Sequence, residues 1–166
     1  ELPKNIGLVA ALNRGLGMID TPLVARMDAD DISMPTRFEK QIDFFQGCSS
    51  DVAVVGTWMK TITADKEVFT RLIKGKRIPY EVVGRLDSYA DVLFDLFKSR
   101  SNLSHPSVMF RKDIVLQVGG YDEELCSTQD FNLWMRLAMA GFDARIIPEL
   151  LVSYRFHAQQ QTASNR

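Results

Sequence analysis

The sequence predicts an α/β protein: a layered sheet flanked by helices. Three observations carry this. Short apolar runs at residues 23–27, 52–63 and 107–111 suit strands, apolar residues at helical spacing fill the segments between them, and the two patterns alternate along the chain. The composition agrees. Of 166 residues, 46% are hydrophobic and 25% charged, the balance of an ordinary globular protein with one domain's worth of core. A formal net charge of −1 points away from nucleic acid. Cys48 and Cys126 lie far apart without metal spacing and suit a reducing compartment.

Taken in order, Asn5 is placed to cap a helix whose Leu8, Val9, Leu12 and Leu16 form one stripe, with Gly15 and Gly17 near its end. Residues 23–27 read as a short buried strand. An acidic loop follows, then Pro35 and a helix carrying Phe38, Ile42 and Phe45 on one face. Residues 52–63 read as a strand, and 67–73 return from a turn at Ala64-Asp65-Lys66. Residues 92–97 look helical. A strand at 107–111 leads into a short helix at 112–118, closed by Gly119-Gly120. Residues 129–140 form a helix ending at Gly141, and 144–147 and 150–156 read as two strands. Glu1-Leu2-Pro3-Lys4-Asn5 opens without an initiator Met or a preceding strand, so residues 1–166 are expected to be one domain piece of something longer.

The acidic loop raises the functional question. Asp28, Asp30 and Asp31 crowd three carboxylates behind an apolar run, and like charges that close are unfavourable unless a cation holds them. A calcium-binding EF-hand loop counted from Asp28 fails at its fifth and sixth positions, where Ile32 and Ser33 replace a ligand and the obligatory glycine. Two readings stay open. In one the loop is solvated, and Asp31 or Ser33 caps the helix that starts near Pro35. In the other a divalent ion is held by one or two carboxylates together with a substrate phosphate, the partial protein shell that Mg²⁺ and Mn²⁺ favour.

A wider ordered pattern bears on that choice. Asn5-Ile6-Gly7-Leu8-Val9-Ala10-Ala11-Leu12-Asn13-Arg14-Gly15, then Ala25-Arg26-Met27-Asp28-Ala29-Asp30-Asp31, resembles the family 2 glycosyltransferases of the GT-A type. So do His105-Pro106-Ser107-Val108-Met109-Phe110-Arg111, Gly119-Gly120-Tyr121-Asp122, and Gln129-Asp130 ahead of Leu133-Trp134-Met135-Arg136. The resemblance runs from Asn5 to about His157. It implies a GT-A, Rossmann-like layered sheet, and an inverting transfer of a sugar from a nucleotide-diphosphate donor to an acceptor hydroxyl. It implies Asp30 as the direct ligand of Mn²⁺ or Mg²⁺, Asp28 toward the donor's ribose or sugar, and Asp130 as the general base. Asp31 is left as a helix cap or an acid backing the ligands. The family places an apolar strand and a second acidic loop well upstream of the D-x-D. Here only residues 1–27 precede it, so the piece is expected to be the C-terminal two-thirds of the domain, lacking the N-terminal nucleotide-binding strands and inactive alone. The family also commonly has Glu-Asp where this chain has Gln129-Asp130.

Local readings compete at several positions. Ser127-Thr128-Gln129-Asp130 fits a capping box, in which Asp130 reaches back to the Ser127 amide. Trp134 has two readings, a stacking surface for an acceptor sugar and a core tryptophan packed with Leu133 and Leu137. His157 is a further metal ligand by resemblance or a surface residue, and His105 is structural or acceptor-facing. Asn5, Gly7 and Asn13 line the donor pocket or serve as cap and turn residues. The expected partners are a nucleotide-diphosphate sugar and a saccharide or lipid-linked acceptor in the cytoplasm, with the inner membrane face as a further expectation. Pairing of a second copy at an open sheet edge is another. A nucleotidyltransferase and a noncatalytic sugar- or nucleotide-binding module of the same fold are the alternative functions. The former would carry a glycine-rich, lysine-bearing phosphate loop near its start, and none is visible.

Overall fold

A computed structural model describes residues 4–62, 70–73, 76–79, 81–82, 103–125 and 127–156. The expected helix at 92–97, the turn at 64–66, Cys126 and His157 lie outside the described residues. Helix α1 (Leu8–Met18) leads into β1 (Leu23–Ala25), and the acidic loop into β2 (Ile32–Ser33) and α2 (Arg37–Gly47). Strand β3 (Val52–Ile62) is followed by β4 (Thr70–Ile73), β5 (Lys76–Pro79) and β6 (Glu81–Val82). A 3₁₀ turn (His105–Ser107), β7 (Met109–Arg111), α3 (Lys112–Gln117), α4 (Gln129–Met139) and β8 (Asp143–Arg155) complete the order.

Five strands run in the order β1-β7-β3-β8-β2, and β6 pairs with the far end of β3. Strands β3 and β8 are parallel, and β7 is antiparallel to both β1 and β3, so β1, β3 and β8 all point the same way. Val52-Ala53-Val54-Val55 is buried throughout, as a central strand covered on both faces must be. Alternation along the sheet divides the core. Val54 and Phe110 face a cluster with Val9 and Leu16 of α1, Val115 of α3, and Leu133 and Leu137 of α4. Val55 and Met109 face the opposite side, with Phe45 of α2, Ile147 and Leu151. The expected helix–sheet–helix layering therefore holds.

Four expectations at the level of elements are corrected. Strand β1 is an outer strand of the sheet rather than a buried one, with Leu23 and Val24 half-buried and Ala25 exposed. The two strands expected at 144–147 and 150–156 are one strand, β8. Its pairing with β3 slips where Thr57 faces Ile147 and Trp58 faces Leu150, a bulge at Pro148, whose missing N–H cannot join a ladder. Strand β4 does not return onto β3 but pairs with β5 in a separate two-stranded sheet.

The fourth correction concerns α2. Its buried face is Arg37, Gln41 and Phe45, while Phe38 and Ile42 are 50% and 38% exposed. A stripe at i, i+4 and i+8 is present, but two of its three members are polar. The physical reason is a set of buried carbonyls. The Arg37 guanidinium donates to the carbonyls of Arg26 (2.8 Å) and Val108 (3.1 Å), and the Gln41 amide donates to those of Val55 (2.8 Å) and Ser107 (3.0 Å). Leaving such acceptors unpaired in a core costs more than burying a paired polar side chain.

The helix ends follow from glycine where a positive φ is needed. Gly120 (φ 67°) closes α3 by donating its N–H to the Val115 carbonyl at 2.9 Å, and Gly141 (φ 85°) closes α4. Asn5 is not the cap of α1. That position is Gly7, and the Asn5 Oδ1 accepts the Gly7 N–H at 2.9 Å. Among the described residues no helix is long and apolar enough to cross a membrane.

Candidate active site

The acidic loop leaves the carboxyl end of β1, the position at which open α/β sheets gather ligands. A turn closed by the Asp31 N–H on the Asp28 carbonyl (3.2 Å) brings the three carboxylates into one bend. Arg26, the residue after β1, grips Asp28 with two parallel bonds, Nη1 to Oδ2 at 2.7 Å and Nη2 to Oδ1 at 2.5 Å. The end of β8 holds the loop's other side. Arg155 donates its backbone N–H to Asp31 Oδ1 and its Nε to the Asp30 carbonyl, both at 2.8 Å.

Asp31 is 7% exposed. Burial, reinforced by Asp28 and Asp30, raises its pKa to about 6 against the opposing pull of the Arg155 N–H and Arg26. It is not a helix cap: α2 is capped at Thr36, and no side chain bonds to that end. Its Oδ2 is buried with no hydrogen-bond partner among the described residues.

Asp130 opens α4. The cap is Thr128, with a left-handed φ of 59°; its Oγ1 donates to the Ser127 carbonyl at 2.6 Å and no side chain caps the helix, so the capping box with Ser127 does not form. The N–H groups of Phe131 and of Asp130 itself favour the charged form of its carboxylate, as Arg26 does more weakly. Burial outweighs them and raises its pKa, a change that makes a carboxylate a better base. Arg26 also bears on His105 and Tyr121, and Tyr121 feels Asp130. The Arg26 charge thus acts through space on Asp31, Asp130, His105 and Tyr121, while its guanidinium bonds to Asp28.

The other expected residues divide. His105 is 5% exposed, its Nε2 2.8 Å from the Tyr121 hydroxyl, and burial lowers its pKa to about 3. It is a buried, neutral imidazole. Trp134 is 2% exposed, packs edge-on at 6.1 Å from His105 and donates Nε1–H to the Leu103 carbonyl at 3.2 Å. Its ring is packed in the core. Asn13 spends its amide on the Tyr121 backbone, Nδ2 to O at 2.8 Å and Oδ1 from N–H at 2.9 Å, and on the Glu123 carboxylate at 2.9 Å. It clamps α1 to the segment after α3. Asn5 and Gly7 lie exposed at the start of α1.

Arg26, Tyr121, Arg37 and Arg155 carry no role in the sequence reading. Arg26 and Tyr121 stand inside the quoted motifs, and only their contacts in space reveal what they do. For Arg37 and Gln41 the signal was a polar pair four residues apart on the face that carries Phe45.

The fit of a divalent cation rests on the donor set. Hard carboxylate oxygens suit Mg²⁺ or Mn²⁺, and the unpartnered Asp31 Oδ2 beside Asp28 and Asp30 is an acceptor that a cation's charge would offset. Among the described residues no three His, Cys, Asp or Glu side chains converge closely enough to hold an ion alone. The set fits an ion shared with a phosphate.

Comparison with known proteins agrees with this geometry. Residues 2–163 match the profile of Glycosyltransferase like family 2. Amylovoran biosynthesis glycosyltransferase AmsE of Erwinia amylovora is 36% identical over 93% of this chain and 52% of its own length. UDP-Gal:alpha-D-GlcNAc-diphosphoundecaprenol beta-1,3-galactosyltransferase of Escherichia coli is 33% identical over 99% of this chain and 54% of its own. The chain spans about half the length of the curated relatives it matches. In three dimensions it aligns with S. aureus TarS 1-349 in complex with UDP at a TM-score of 0.60 and 16% identity, over 92% of this chain and 41% of that one. Mannosyltransferase PcManGT from Pyrobaculum calidifontis, in complex with GDP-Man and Mn²⁺, aligns at 0.59 and 14% identity, over 98% and 40%. The fold is GT-A, and the chain belongs to the glycosyltransferase-like family 2.

Proposed function

We propose that the protein is an inverting, metal-dependent glycosyltransferase of cell-surface polysaccharide or glycolipid assembly. It moves a sugar from a nucleotide-diphosphate donor to an acceptor hydroxyl. The observation that carries this reading is the acidic loop at the end of β1, where Arg26 holds Asp28 with two bonds and Asp31 is buried with an unpartnered oxygen. The relatives support it, since their names concern amylovoran and a diphosphoundecaprenol acceptor. GDP-Man with Mn²⁺ and UDP in the structural neighbours support the donor class and the ion.

In this reading Asp30 binds Mn²⁺ or Mg²⁺, Asp28 faces the donor's ribose or sugar, and Asn5 and Gly7 border the same pocket. The bound ion supplies charge neutralisation for the diphosphate as it leaves. Arg26 fixes the direction of Asp28. Asp130 accepts the proton of the acceptor hydroxyl while that oxygen attacks the anomeric carbon. The new glycosidic bond forms on the face opposite the breaking carbon–oxygen bond, so the nucleoside diphosphate departs with inversion. A pKa raised by burial suits Asp130 to this work.

Substituting Asp130→Asn in the full-length protein tests the reading. Removal of a general base is expected to lower kcat by roughly 10²–10⁴-fold with donor affinity nearly unchanged. The acid limb of the wild-type kcat/KM profile should lie above the ordinary carboxylate value of 3.8. If turnover per folded molecule survives while thermal stability falls, Asp130 serves the helix end and not the chemistry.

A further inference from the structure

Arg37 is a fully buried charge, 0% exposed, on the helix that lies across the sheet from α4. Burying a guanidinium is unfavourable by several kcal/mol unless good partners surround it, and an apolar residue would fill the same space at lower cost. Its partners show what the charge is used for. Nε donates to Gln41 Oε1 at 3.0 Å, and Nη2 is shared between the carbonyls of Arg26 and Val108. The Arg26 N–H also binds the Val108 carbonyl, at 3.0 Å. Backbone and guanidinium therefore fix Arg26 from two directions, immediately before the acidic loop. The side chain of that same Arg26 holds Asp28 with two bonds.

We infer that Arg37 is a positioning residue for the donor site: it locks the Arg26 backbone, so that the Arg26 fork presents the Asp28 carboxylate in one orientation. This rests on the reading of the acidic loop as the donor and metal site. Phe45 provides an internal control. It lies on the same buried face of α2, and its ring packs under the Arg111 guanidinium at 4.9 Å, away from the loop. Burial lowers the Arg37 pKa to about 10, which keeps the group charged at neutral pH.

The test compares Arg37→Met, Arg37→Lys and Phe45→Leu in the full-length protein. Three quantities are read: thermal midpoint, calorimetric Mn²⁺ affinity in saturating UDP, and donor KM against kcat. Loss of a residue that orients a metal site typically weakens the metal by about 10–100-fold. Arg37→Met should show a loss of that order and a raised donor KM. Phe45→Leu should keep both near wild type even where its thermal midpoint falls as far. Arg37→Lys covers the case in which Arg37→Met does not fold. A single ammonium cannot reproduce the planar fork, so it should lose affinity in the same direction. If affinity tracks thermal midpoint alike in all three variants, or if Arg37→Lys binds as wild type does, Arg37 is structural only and the inference fails. If the wild-type protein itself shows no UDP-dependent Mn²⁺ binding, the donor–metal reading fails first and takes the inference with it.

Discussion

At the scale of single residues, His105 gives the clearest pH signature. Burial holds its folded pKa at about 3 against an ordinary 6.5, so the folded state binds fewer protons than the unfolded one. Stability from this group is complete above pH 6.5 and is lost as pH falls toward 3. The loss between pH 7 and 5 should be about 2 kcal/mol. His105→Gln removes the titration while keeping a polar group for the Tyr121 hydroxyl. Urea unfolding at the two pH values should therefore show a smaller decline for the variant; equal declines would mean that the buried imidazole does not set the slope. The acids of the site were legible in the sequence because carboxylates crowded after a short apolar run need a physical cause, and Asp130 because it sits at a helix start in an ordered pattern. Arg26 and Tyr121 were not. Their meaning depends on neighbours far along the chain, which spacing does not encode.

At the scale of elements, the join between α1 and the end of α3 is governed by one side chain. Asn13 satisfies both the N–H and the carbonyl of Tyr121, and a Cβ built on Gly120 would stand 2.9 Å from its Oδ1. Asn13→Ala should destabilise the protein by about 1–3 kcal/mol, because it strands partly buried backbone groups. Gly120→Ala should do so comparably, through the contact and through the positive φ of 67°. The double variant should fall short of the sum, since the first change removes the atom that the second strikes. Strict additivity in thermal unfolding would show that the clamp is not shared. Elements themselves were readable to the extent that apolar periodicity decides them: α1, α3, α4 and β3 stand close to their expected bounds. Helix α2 was read on the wrong face because periodicity counts apolar side chains and is blind to buried carbonyls that need donors. Strand β8 was read as two because Pro148 breaks a ladder in sequence, whereas a bulge absorbs it in space.

At the scale of the whole molecule, the shared direction of β1 and β8 makes the site. The acidic loop leaves the carboxyl end of β1, level with Val55 of β3, and Arg155 at the end of β8, level with Ile62, bonds to Asp30 and Asp31. The 3₁₀ turn before β7 delivers His105 to the same end, because β7 runs opposite to its neighbours. The central claim is that this end holds a nucleoside diphosphate through a divalent ion on a sparse protein shell. Such a shell gives a coupled equilibrium: the ion binds weakly alone and tightly once phosphate oxygens complete its coordination. The most direct measurement is a calorimetric titration of the full-length protein with Mn²⁺, with and without UDP, for the wild type and Asp30→Ala. The account predicts wild-type affinity at least about 10-fold higher with UDP, and loss of that enhancement in Asp30→Ala. Equal Mn²⁺ binding by the two proteins, or wild-type affinity indifferent to UDP, would contradict it.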